Sequence, residues 1–133
     1  MAFEFSKREV ADVTILDISG RMVLGTDGQK LRSALIECFQ GGHPWLVVNC
    51  ADLDFMDSSG LGDLIDAHGF IVRQGGILRL LNVNDGLLAL LSRTRLDGLF
   101  DLYDDEEAAL ASFTEMNNRR TRQKLASFLQ REV

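Results

Sequence analysis

The sequence predicts an α/β domain: a central mixed sheet of four to five strands with about four packed helices, plus a C-terminal helical extension. Three observations predict it. Short runs rich in β-branched residues alternate with longer runs whose apolar residues recur at helical spacing. The run Trp45-Leu46-Val47-Val48-Asn49 is apolar at nearly every position, as in a strand covered on both faces. Glycine pairs or Asn/Asp residues stand at the junctions between runs, where helices stop or start.

Taken in order, Phe3 to Val10 and Val13 to Ser19 read as two strands joined by a tight turn at Ala11-Asp12, a hairpin. Thr26 or Asp27 is the expected cap of a helix whose buried stripe is Leu31, Ala34, Leu35, Cys38 and Phe39, ended by Gly41-Gly42. The Trp45 strand follows, and Ala51 to Phe55 is expected to carry the chain off it. Leu61, Leu64, Ile65, Ala67, His68, Ile71 and Val72 then trace one face of an amphipathic helix that Gly75-Gly76 stops. Ile77 to Leu81 is a further strand. Asn84 or Asp85 can cap a helix carrying Leu87, Leu88, Leu90 and Leu91, and Leu96-Asp97-Gly98-Leu99 turns the chain into a last strand, Phe100 to Tyr103. The acids Asp104 to Glu107 suit the positive end of a final helix through Ala108, Leu110, Ala111 and Phe113. An order of β-β-α-β-α-β-α-β-α implies a sheet that is parallel in its later part.

The chain has 133 residues, 46% hydrophobic and 26% charged, enough apolar material for one core. A formal charge of −6 opposes a dedicated nucleic-acid binder. No run approaches the ~20 apolar residues of a membrane helix, so no transmembrane segment and a cytoplasmic location are expected. Cys38 and Cys50 form no CxxC unit and have no histidines at metal-ligand spacing, so both read as reduced core thiols. His43 and His68 read as structural. One composition shift stands out: residues 1–116 hold 9 Lys/Arg against 19 Asp/Glu, whereas residues 117–133 hold 5 against 1. The division is therefore a domain at 1–116 and a basic amphipathic helix or tail at 117–133, with Leu125, Phe128 and Leu129 as its apolar stripe.

The most informative stretch is Phe55-Met56-Asp57-Ser58-Ser59-Gly60-Leu61-Gly62, where the strand gives way to the helix. Asp57 is a good N-cap, since its carboxylate can accept backbone N–H groups of the residues that follow. That places Ser58 and Ser59 in the first turn, near solvent. A nucleophile elbow would want Gly where Met56 stands, so Ser58 does not read as a hydrolase nucleophile.

This string closely resembles the phosphorylation motif of the STAS-domain anti-sigma factor antagonists, the bacterial partner-switching proteins. The Leu46-Val47-Val48-Asn49 strand, Gln74-Gly75-Gly76 and the Leu96-Asp97-Gly98-Leu99 turn fall where that family has similar elements, so the resemblance covers about residues 3 to 113. It implies a single STAS-like domain and a switch. The unmodified protein would bind an anti-sigma factor that is also an ATP-dependent serine kinase, freeing a sigma factor. Phosphorylation would reverse this, and a PP2C-type phosphatase would remove the phosphate. The family's acceptor maps onto Ser58. The chain would then be a substrate and no enzyme, with no catalytic residue, cofactor or metal of its own, because the partner kinase binds the ATP.

Within the motif, Asp57 is assigned to capping and to orienting the loop, Ser59 to an N-terminal hydrogen bond, and Gly60 to close approach of a partner backbone. Arg21, Val23, Met56 and Leu61 are the candidate partner contacts, although Phe55 and Met56 individually read as loop-packing residues. A phosphate would add roughly −1.5 to −2 charges beside Asp57 and near Asp52, Asp54 and Asp63. One segment departs from the family: a Gly-Glu-hydrophobic-Asp pattern is common before the first helix, and here Gly20-Arg21-Met22-Val23 puts Arg21 and Val23 in place of both acids. The kinase that reads this surface is therefore not specified by the resemblance. The alternative is a STAS scaffold that is never phosphorylated and binds protein constitutively, in a stressosome-like assembly or beside a transporter. The sequence leaves the oligomeric state open.

Deleting residues 117–133 is expected to leave the domain folded. A truncated chain that melts without a cooperative transition would contradict the division.

Overall fold

A computed structural model describes residues 2–23 and 25–114. Its elements are β1 (Glu4–Val10), β2 (Val13–Met22), α1 (Thr26–Gln40), β3 (Trp45–Met56), α2 (Ser58–Arg73), β4 (Ile77–Leu81), α3 (Asp85–Arg93) and β5 (Asp101–Tyr103). Residues 106–114 are helical and are called α4. The predicted mixed α/β architecture is the observed one. The basic segment 117–133 lies outside the described residues.

The five strands lie side by side in chain order, β1 antiparallel to β2 and all later neighbours parallel. Ala11 and Asp12 both take positive φ, 50° and 68°, which is the twist a two-residue hairpin turn needs. Each parallel step moves to the next strand in the same direction, and right-handed crossovers then put their helices on one face. Accordingly α1, α2 and α3 share one core, built on Leu16, Ile18, Leu46, Val48, Leu64 and Leu80. The opposite face is left to α4, whose Ala109 and Phe113 pack on Val13, Ile15, Val47 and Leu81.

Polar groups also fasten α4. Arg8 on β1 donates to Asp17 on β2 and to Glu106 on α4, while Asp17 also accepts from Asn49 at 2.8 Å. Arg79 is buried on β4, paired with Asp101, with its guanidinium 5.0 Å from the centre of the Phe113 ring.

Four local expectations change. β2 and β3 run on to Met22 and Met56, longer than the sequence suggests, and β3 carries two bulges, one after Asn49 and one after Leu53. Each bulge inserts a residue, so the inward positions become Cys50, Leu53 and Met56, three apart instead of two. What looks like a chain leaving the sheet at Ala51 is a strand continuing through a changed period. Neither Thr26 nor Asp27 caps α1. The cap position is Gly25, with no side-chain hydrogen bond, and Asp27 instead accepts from Val23 N at 3.3 Å from inside the first turn. Finally, Val72 and Leu88 are exposed, because α2 and α3 bury narrower stripes than their apolar content allows.

The two thiols are free, as expected, with Cys50 buried and Cys38 partly so. Burial pushes the Cys50 thiol up to about 12 and raises Cys38. His68 stacks edge-on against Phe100 at 4.7 Å, and burial lowers its pKa against the opposing pull of Asp101.

Hydrogen bonding from Arg8 is the leading cause that lowers the pKa of both Asp17 and Glu106. A carboxylate depressed in the fold stabilises it above the unfolded-state value and loses that contribution as pH falls through the folded one. The melting temperature is therefore expected to drop below about pH 4, and Arg8→Gln should flatten that drop while lowering stability at neutral pH. Parallel melting curves of the two chains across pH 2–6 check it.

Candidate functional site

The bulged extensions of β2 and β3 outrun β4, which pairs with β3 only from Trp45 to Asn49. They end side by side, Arg21 opposite Phe55 and Met22 opposite Met56, and the Asp57 N–H donates to the Met22 carbonyl at 3.2 Å. The next residue begins α2. Asp57 has the extended backbone of an N-cap, φ −85° and ψ 176°, and its Oδ1 accepts from Gly60 N at 2.8 Å. Ser58 and Ser59 follow in the first turn, and both are exposed. The cap and the two exposed hydroxyls stand where the sequence puts them.

Three roles assigned within the motif change. Gly60 is buried, and a Cβ there would come within 2.7 Å of Met22 Sδ and 3.2 Å of Met56 Cγ. Its lack of a side chain serves packing inside the domain and leaves no backbone open to a partner. Met56 and Leu61, 6% and 2% exposed, point into the core and cannot be primary partner contacts. The cap bond comes from Gly60 N, and no partner for the Ser59 hydroxyl is present among the described residues.

Of the remaining candidates, Arg21 is exposed and Val23 half-buried. Arg21 lies over the Phe55 ring, 4.7 Å from its centre, and Phe55 is 41% exposed. Phe55, read from sequence as a packing residue, is therefore a surface residue. The second bulge turns Phe55 outward where strict alternation from Leu53 would turn it in.

Beside Ser58 lies a groove of roughly 440 Å³ between the β3–α2 junction and α3. Leu53, Asp54, Phe55 and Asp57 line it from one side, and Asn84, Leu87, Leu90 and Arg93 from the other. Asn84 holds the two walls together, accepting from Leu87 N at 2.8 Å as the cap of α3 and donating to the Leu53 carbonyl at 2.8 Å. The groove could not be read from the sequence, because its walls are thirty residues apart.

Charge at the site is uneven. Asp54 and Asp57 face the groove, whereas Asp63 is tied to Arg32 of α1 at 3.1 Å. Asp63 is thus partly neutralised and opposes an added anion less than its sequence proximity suggests. A cluster of His, Cys, Asp and Glu able to hold a metal ion is absent among the described residues. No helix among them is long and apolar enough to cross a membrane.

Residues 4–109 match the family profile of the STAS domain. An anti-sigma F factor antagonist of Paenibacillus polymyxa is 35% identical over 65 residues, 49% of this chain and 56% of the relative, so the match spans little more than half of that protein. An anti-sigma-B factor antagonist of Bacillus subtilis is 30% identical over 80 residues, 60% of this chain and 72% of the relative. Among solved structures, the Bacillus cell fate determinant SpoIIAA in its phosphorylated form shares the fold with a TM-score of 0.67 at 22% identity, covering 83% of this chain and 99% of that one.

The two glycines of the α2 first turns should respond oppositely to a methyl group. Gly60→Ala is expected to destabilise the domain by about 1–3 kcal/mol through overpacking. Gly62 has open space around its Cβ position, so Gly62→Ala should stabilise by roughly 0.5–1 kcal/mol. Denaturant midpoints of both variants check the pair, and equal effects would contradict the packing described.

Proposed function

We propose a phosphorylation-controlled switch that acts by protein binding, from the premise that this chain belongs to the STAS domain family. Unmodified, it binds an anti-sigma factor that is also a serine kinase and so releases a sigma factor. Phosphorylation of Ser58 abolishes that binding, and a PP2C-type phosphatase restores it. The chain works as a substrate and a ligand, not as a catalyst, and the kinase brings the ATP.

The observation that carries this reading is the position of Ser58: an exposed hydroxyl in the first turn of a capped helix, at the end of a protruding two-strand extension. Such a hydroxyl is open to a kinase, and the first-turn N–H groups can stabilise an anion there by about 0.3–1 kcal/mol. The matched relatives are named as antagonists of anti-sigma factors, which supports the same partner class.

Binding can fail without a conformational change. The phosphate adds about −1.5 to −2 charges next to Asp54 and Asp57. Like charges brought together in an interface cost several kcal/mol, and every 1.4 kcal/mol is about tenfold in affinity. The fold itself survives, because Ser58 packs against nothing that a phosphate would displace into the core. Arg21 and Phe55, exposed at the adjoining strand ends, are the surface residues best placed to choose between partners.

Ser58→Ala should hold the cognate anti-sigma factor persistently, and Ser58→Glu should hold it at least about tenfold more weakly. Pull-down of the unmodified chain with and without ATP identifies that partner, and mass spectrometry of the bound chain should place the phosphate on Ser58. Equal affinity of the two variants, with no phosphate on the chain, would leave the constitutive scaffold as the function.

A further inference from the structure

We propose that Arg93, in the last turn of α3, receives the phosphate of phosphorylated Ser58 and closes the groove between α3 and the β3–α2 junction by an intramolecular ion pair. The inference rests on Ser58 being the acceptor and adds how the modified state is held.

Ser58 and Arg93 line the same groove from opposite walls. Among the described residues lining it, Arg93 is the single cation, in the company of the two acids Asp54 and Asp57. Four other arginines of the domain are engaged: Arg8 with Asp17 and Glu106, Arg32 with Asp63, Arg79 with Asp101, and Arg21 on the Phe55 ring. Arg93 makes no ion pair or side-chain hydrogen bond among the described residues, and it is exposed. Its guanidinium is therefore available without breaking a contact to any described residue.

Neither carboxylate of the groove pairs with Arg93 among the described residues. Asp57 spends one oxygen on Gly60 N. A phosphate brings three acceptor oxygens and up to two charges, and a guanidinium can take two of those oxygens at once. Phosphorylation changes the formal charge lining the groove from −1 to roughly −2.5 to −3, which leaves Arg93 as its counter-charge. An Arg93–phosphate pair would span the groove from α3 to the β3–α2 junction.

The test installs phosphoserine at position 58 by genetic encoding and titrates its phosphorus resonance by NMR in the full chain. The second phosphate pKa, about 6 when unperturbed, is expected to lie about half a unit lower in the parent chain than in Arg93→Gln. Arg93→Lys should recover part of that shift. Arg73→Gln, at the far end of α2, should change nothing. In the same samples the Arg93 Nε–H resonance should move on phosphorylation. An Arg93→Gln titration identical to the parent, or an Arg93 resonance that stays where it is, would overturn the clamp. Because the phosphate is installed directly, a kinase that never modifies Ser58 in cells would sink the switch reading and leave this measurement standing.

Discussion

Gly60 lies with its backbone against two buried methionines, Met22 from the end of β2 and Met56 from the end of β3, and the position of the Ser58 hydroxyl depends on that contact. Without a side chain at Gly60 the first turn of α2 can sit directly on both strand ends. The Asp57 cap bond then spans only three residues, and the two hydroxyls between cap and contact stand exposed. A larger residue would lift the helix start away from the sheet and lose both the cap geometry and the fixed presentation of Ser58. An exposed hydroxyl on a capped helix suits a switch, since the modified and the bound surfaces are then the same surface.

The contact itself depends on β3 reaching so far. Two bulges let the strand curve while still pairing with β2, and they convert its inward period so that Cys50, Leu53 and Met56 all reach the core. The same two insertions push Phe55 to the outside, under Arg21. One backbone device therefore produces the buried floor of the site and its exposed rim together. On the far face of the sheet a separate set of charges, Arg8 with Asp17 and Glu106, fastens α4 and takes no part in the site.

Much of the fold was legible because strand and helix periods are local properties. The hairpin turn, the α2 stripe through Leu61, Leu64, Ala67 and Ile71, and the caps at Asp57 and Asn84 all follow from residues within a few positions of each other. The failures were also local in kind. Ala51 to Phe55 reads from sequence as chain leaving the sheet, where two bulges keep it in the strand with a changed period. Gly60 reads from sequence as open to a partner because a sequence shows that a glycine is small but not what lies beside it. Met56 and Leu61 stand beside the acceptor in sequence, yet both are core residues.

The sequence by itself determined the order of elements, the capped helix start and the exposure of Ser58, because hydrogen-bond capping and amphipathic spacing are written over short stretches of chain. Tertiary structure alone decided which neighbours surround that hydroxyl. It set Met22 under Gly60, drew Asp63 away to Arg32, and brought α3 with Arg93 across a groove from Ser58. Those neighbours come from four different elements, and the order in which strands line up in a sheet, which no short-range pattern encodes, is what brings them together.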